Sequence, residues 1–388
     1  MAPVRAVLAV AALAAAGGVQ ISGAGSAAER AGPGPQRGQA AVPGWLPRDT
    51  EVAGEKRGTL AEAGPPDTVV INATEGSVAL PAWYGRMGNN ILQLVNAILF
   101  CQAEGLTTLR LPAASNGTRP HSSSRAADMF DLPREIKITP RSDLKLGCNF
   151  HKMRLFFGRC AAVSKSLFRQ TAEEYLFPLM NGAWQSACQD ERARQDNHTF
   201  NGLTIHLRSG DSRRDLKLPQ FAYASCSFFK KIMSVHGFES ARVITEKDMS
   251  HPCIQVLRED LGSNLAVQSG SLEEDSCAIM HAKHLAVGSW STFSQVLELF
   301  NKHIETNFWP VPTGEQARVE KVVCNPVVFG SPLTYVYQID GMQDGHNRMD
   351  DEGGADYFAR LPLERVTLQS VCDEQSEAPF VGSVRLLV

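Results

Sequence analysis

Three short stretches of this chain gather the residue types that bind and polarise an anion. LTIHLRSGD (203–211) ends an apolar run in His206, Arg208 and Asp211. A guanidinium at that place can grip a diphosphate bidentately and keeps its charge while a leaving group departs. His206 lies on the same side of the strand, since alternate residues face alike, and an imidazole there can hydrogen-bond a ribose or a base. GRMGNN (85–90) puts Gly85 and Gly88 where the backbone must turn tightly into a helix, presenting main-chain N–H groups and the amides of Asn89 and Asn90. GSWSTF (288–293) supplies Ser289, Ser291 and Thr292 at a helix start, where hydroxyls and free N–H groups hold anions.

Read singly, each stretch also has a plainer meaning. GRMGNN is a Gly/Asn turn with a cap, HLRSGD an Arg208–Asp211 ion pair beside a half-buried histidine, and GSWSTF an N-cap. Their order, and their common place at strand ends, joins them. GRMGNN departs from G-x-G-x-x-G, which speaks against a nicotinamide cofactor. Gly288–Ser291 lacks the G-x-S-x-G elbow of a serine hydrolase. Cys277, His281 and His284 form a C-x3-H-x2-H string, but they straddle a helix end and a strand with no fourth ligand, so zinc is not expected.

The elements that must position these loops are legible in the periodicity. From 203 onward strands LTIHL, ARVIT, LAVQS and HLAVG alternate with helices YASCSFFKKIMSV, CIQVLRED, LEEDSCAIMHA and FSQVLELFN, the rhythm of a parallel α/β sheet. Upstream, DTVVINA (67–73) and TTLRLP (107–112) read as strands. Between them Ile91, Leu94, Val95, Ile98 and Leu99 recur at helical spacing, with Gly105 as the stop. SLFRQTAEEYLF reads as a further helix. After Pro310 the pattern breaks into short β-like runs around the acidic loop MQDGHNRMDDEGGADY. The expected body is two α/β units in tandem, 67–200 and 201–310, followed by an extension, 311–388. Ligands of open α/β sheets bind at the carboxyl ends of the strands, where all three loops fall.

Composition bounds the setting. A net charge of −3 gives no footing for non-specific nucleic-acid binding, so no nucleic-acid partner is expected. Residues 1–25 carry an early Arg, an apolar Ala/Val/Leu run and then small residues, which predicts a signal peptide or a retained single-pass type II anchor. Residues 26–66, rich in Gly, Pro and Ala, read as a flexible stem. The sequons at Asn72, Asn116 and Asn197 fit a secretory route through the ER or Golgi lumen, or secretion. Nine cysteines contain no C-x-x-C pair, leaving scattered disulfides or buried thiols; the odd count leaves at least one without an internal partner.

The series G-x-x-G-N, H-x-R-x-G-D and a late S-[ST]-F resembles the three motif regions of the α1,2-, α1,6- and protein O-fucosyltransferases. GRMGNN is similar to the opening motif of the protein O-fucosyltransferases, HLRSGD to the second motif of the superfamily, and STFSQVLELF (291–300) to the third. The resemblance implies a GT-B fold: two Rossmann-like lobes facing a cleft, 67–200 on the acceptor side and 201–310 holding the donor nucleotide. It implies an inverting transfer of L-fucose from GDP-fucose to a glycan or protein hydroxyl. Carried over by position, Arg208 contacts the diphosphate, His206 the nucleotide, and Ser291, Thr292 and Phe293 cup the phosphates. Gly88 lines the donor loop, Asn89 faces the reaction centre, and Asp275 in SLEEDSC resembles an acid that reads guanine. This chain has Ser209 where many α1,2 and α1,6 members carry a second Arg, and Asn90 where Gln is frequent.

Stabilising the departing diphosphate would fall to Arg208 and the Ser/Thr loop. The chain has no Asp-x-Asp, so the chemistry is expected to need neither metal nor cofactor. Asp211 and Asp215 are the nearest carboxylates for deprotonating an acceptor, although Asp211 reads rather as a lock on Arg208 or its loop. Two alternatives stay open: a glycosyltransferase using another nucleotide sugar, and a secreted glycan-binding pseudoenzyme of the same fold.

Overall fold

Among the described residues, alternating apolar positions and helical spacing resolve into two β-sheets joined through shared helices. The computed structural model describes residues 70–72, 75–80, 82–83, 85–112, 126–146, 165–196, 200–208, 223–247, 249–289, 291–312, 333–342 and 357–373. All of them fall within one compact unit, Ala61–Val388. The expected leader and stem, 1–66, lie outside the described residues. Among the described residues no helix is long and apolar enough to cross a membrane.

The smaller sheet has the order β1 (Val70–Asn72), β2 (Ser77–Ala79), β3 (Thr108–Arg110), β4 (Glu135–Lys137). Helix α1 (Met87–Glu104) connects β2 to β3, which pair in parallel. The strand parallel to β3 is thus β2, from a turn-rich stretch, and the expected strand near 67–73 is its antiparallel edge β1. From Met87 to Gln102 every α1 residue but Asn89 is buried. Gly105 ends the helix in the left-handed region (φ 72°), its N–H bonded to the carbonyl of Cys101. Three helices follow: α2 (Ala126–Met129), α3 (Lys165–Tyr175) and α4 (Gly182–Asp196). Helix α4 has no apolar stripe to announce it. It is held instead by buried Trp184, by a Cys188–Cys277 disulfide, and by Glu191, which accepts from Arg242 at 2.7 Å.

The larger sheet takes its elements in chain order. These are β5 (Leu203–Leu207), α5 (Cys226–His236), β6 (Ala241–Thr245), α6 (Pro252–Leu261) and β7 (Leu265–Gln268), then α7 (Leu272–Met280), β8 (His284–Val287) and α8 (Thr292–Phe300). Strands β9 (Thr306–Pro312), β10 (Leu333–Ile339) and β11 (Val366–Asp373) complete it. The order is β11-β10-β9-β8-β5-β6-β7, parallel throughout except the β10–β11 pair. With β5 as the first strand, β7 to β10 repeat the 3-2-1-4-5-6 order of doubly wound sheets. The chain past 310, expected as a separate extension, therefore supplies the end of β9 and two further strands.

The two faces of the sheet carry different cores. Leu203, Ile205 and Leu207 pack with α5 and α6, which a Cys226–Cys253 disulfide ties together. Leu285 and Val287 pack with α7 and α8, in one core that also takes in α1 and α3. The segments 67–200 and 201–310 are thus not separate in their packing: α1 and α3 close one face of the sheet that 201–310 begins. Cys101 is a free thiol inside this core, and burial pushes its pKa up to about 12.

Candidate functional site

Strands β5 and β8 lie side by side, yet β5 runs on toward α5 on one face and β8 toward α8 on the other. Such a switch point opens a crevice outside the carboxyl ends of the strands. His206 sits on the α8 side of β5, its ring centre 5.6 Å from that of Phe293. Arg208, the first residue past β5, is half-buried, with a buried Nε. The Gly288 N–H just past β8 donates to the carbonyl of His206 at 2.9 Å, fixing the two strand ends against each other. A Cβ at Gly288 would lie 3.1 Å from Leu207 Cδ2 and 3.3 Å from Phe229, so a side chain there would press on both.

Helix α1 carries the GRMGNN loop to the same place. Gly85 is in the left-handed region (φ +69°), and a side chain there would meet Asn89 Nδ2 at 2.2 Å. Asn89 folds over it. A Cβ at Gly88 would lie 2.5 Å from the carbonyl carbon of Thr292 and 2.6 Å from the nitrogen of Phe293. The starts of α1 and α8 therefore touch backbone to backbone, which only glycine permits. Thr292 Oγ1 donates to Asn89 Oδ1 at 2.6 Å, a bond between residues 203 positions apart.

The electrostatics of this meeting point are one-sided. Neither α1 nor α8 has an acidic residue in its first turn, and neither N-cap, Arg86 or Ser291, makes a side-chain cap bond. Two helix N-termini, each carrying about half a positive charge, are thus brought together beside Arg208. Ser289 is buried and its Oγ has no hydrogen-bond partner among the described residues; the same holds for Nδ1 of His206. Burial first, and then the charge of Arg208, lower the His206 pKa to about 4. At neutral pH the imidazole is therefore uncharged, a hydrogen-bonding group rather than a second cation. An anion seated here would meet main-chain N–H groups, hydroxyls and the guanidinium of Arg208.

The structure thus brings together Gly88, Asn89, His206, Ser291, Thr292 and Phe293, with Arg208 at the adjoining strand end. It does not bring Asn90 to the site: that side chain is buried and accepts from Ala126 N–H at 3.4 Å. Asp275 lies in the first turn of α7, which follows β7 two strands from β5, and its Oδ1 accepts from Gln268 at 2.9 Å and Gly270 N–H at 3.0 Å. Burial raises its pKa. Asp211 and Asp215 lie outside the described residues. Cys277 is engaged in its disulfide and His284 bonds Thr306 Oγ1 at 2.7 Å, so the Cys/His string has a structural account.

One contributor escaped sequence reading. Tyr223 and Ala224 return to the site where β5 has left it: Ala224 N–H donates to Gly288 O at 2.7 Å, and Tyr223 forms an antiparallel bridge with Ser289. Nothing in their spacing marks them, because the pairing is made by main-chain atoms. No protein-family model, characterised protein or solved structure matches the chain.

Proposed function

We propose that this chain is an inverting glycosyltransferase of the fucosyltransferase type, moving L-fucose from GDP-fucose to a glycan or protein hydroxyl. One observation carries the reading: residues from three motifs, far apart in sequence, converge at the β5/β8 switch point, where Asn89 holds Thr292 and His206 meets Phe293. Arg208 and the paired N-termini of α1 and α8 bind the diphosphate. In transfer, the acceptor oxygen forms a bond to the anomeric carbon as the bond from that carbon to the β-phosphate oxygen breaks. The electron pair leaves with GDP, and the negative charge that grows there is stabilised by Arg208 and the α8 loop more strongly than in the ground state.

Neutral His206 hydrogen-bonds the nucleotide rather than adding charge. Asn89, oriented by Thr292, faces the reaction centre, and Asp275 presents its carboxylate edge to guanine at the β7 end. Asp211, three residues past Arg208, is the carboxylate nearest in sequence for the acceptor proton. In this reading the larger sheet is the donor side of a GT-B enzyme, the smaller sheet the acceptor side, and neither metal nor cofactor is needed. The Cys188–Cys277 and Cys226–Cys253 disulfides support a place in the lumen of the secretory pathway.

The test is turnover of GDP-fucose, with and without acceptor glycans, in EDTA, by the full chain and by Arg208→Ala. Release of GDP by the wild type alone supports the reading. Equal release by both, or none by either, defeats it. A preference for UDP- or other nucleotide sugars would redirect it to another donor.

A further inference from the structure

The segment entering β11 reaches the site from the far side of the sheet. Residues 357–360 are helical, and they lie between β10 and β11, two to three strands from β8 and three to four from β5. Yet Tyr357 donates from its hydroxyl to the carbonyl of Tyr223 at 2.9 Å. Phe358 is fully buried, its ring 6.4 Å from Tyr223 and 5.5 Å from His251, the N-cap of α6. One turn later the carbonyl of Leu361 accepts from Ser227 Oγ in the first turn of α5. Three successive contacts thus fasten 357–361 to the carboxyl edge of the sheet.

Tyr223 is the residue that matters to the site. It bridges Ser289, while Ala224 N–H donates to Gly288 O and Gly288 N–H donates to His206 O. A continuous line of main-chain bonds therefore runs from the Tyr357 contact to the carbonyl of the site histidine and to the loop that starts α8. Directional hydrogen bonds of this kind tie the position of each main-chain group to that of its partner.

We infer that Tyr357 is a positioning residue, which sets the β8–α8 loop for anion binding through the Tyr223–Ser289 bridge. The consequence for ligand binding rests on the function proposed above; the consequence for the loop does not. The experiment compares the full-length wild type with Tyr357→Phe, which removes one hydroxyl and keeps the ring. Hydrogen exchange is read in peptides containing Ala224 and Gly288, GDP affinity by calorimetry, and melting temperature alongside. Faster exchange in both peptides, with GDP bound about fivefold more weakly, is the expected result, the size following from one hydrogen bond of ~1 kcal/mol. Unchanged exchange overturns the inference. So does faster exchange with GDP affinity equal to the wild type. If the wild type binds no GDP, the proposed function fails, and the exchange comparison alone decides the brace.

Discussion

The helices that follow β7 and β8 begin in opposite ways. Helix α7 opens with a closed capping box: Ser271 Oγ accepts from Glu274 N–H at 3.2 Å, and Glu274 accepts from Ser271 N–H at 2.9 Å. Glu273, Glu274 and Asp275 occupy its first turn and offset its positive end. Helix α8 opens with Ser291, which makes no side-chain cap bond, has no acid in its first turn, and abuts the equally bare start of α1. Both helices leave carboxyl ends of the same sheet and are of equal length, so the contrast is not forced by the fold. A side-chain N-cap stabilises by roughly 1 kcal/mol. The proposed anion site accounts for its absence where two positive ends meet, whereas at α7 the cap serves the helix itself.

The strongest blow to this contrast would come from Arg208. Arg208→Ala should lower donor turnover by ~10²–10³, the usual cost of removing one stabiliser of transition-state charge, while melting close to the wild type. Steady-state kinetics beside a thermal melt checks both halves. Next comes the neutral histidine. The folded pKa of His206 is depressed from 6.5 to about 4, so below pH 6.5 the unfolded chain binds the proton more readily. Stability should therefore fall as pH drops from 6.5 toward 4, by up to about 3 kcal/mol, and be insensitive to this group above 6.5. His206→Gln should flatten that part of a urea-denaturation series across pH.

Gly88→Ala should force α1 and α8 apart and destabilise by ~1–3 kcal/mol, as overpacking does, with loss of nucleotide affinity. Denaturation and GDP titration on the same sample would show both. The smallest effects sharpen the comparison most. Ser271→Ala should cost about 1 kcal/mol of stability and leave transfer intact. Ser291→Ala should do the reverse, with little change in stability and a measurable loss of donor binding. Identical behaviour of the two would erase the distinction between a helix start that serves the fold and one that serves a ligand.

How far the sequence is legible depends on what holds each element. Helices α1, α5, α6, α7 and α8 and strands β5 to β8 follow apolar periodicity, and each is found where that periodicity predicts it. Helix α4 is not foreseen because its anchors are a disulfide, one tryptophan and an ion pair, none of which makes a periodic stripe. Strands β10 and β11 are obscured because intervening stretches without apolar rhythm separate them from the rest. At the site, Gly85 and Gly88 are readable as tight turns, but only the structure shows that Gly88 lies against Thr292. Asn90 looks equivalent to Asn89 in sequence. It points instead to α2, because successive residues on a helix face directions about 100° apart.

The central claim is that the bare start of α8, together with Arg208, holds a nucleoside diphosphate. Calorimetric titration of the full chain with GDP in EDTA, for wild type and Arg208→Ala, addresses it most directly. Saturable binding to the wild type, abolished or strongly weakened in Arg208→Ala, is the predicted result. No binding to the wild type, or equal binding to both, would contradict it.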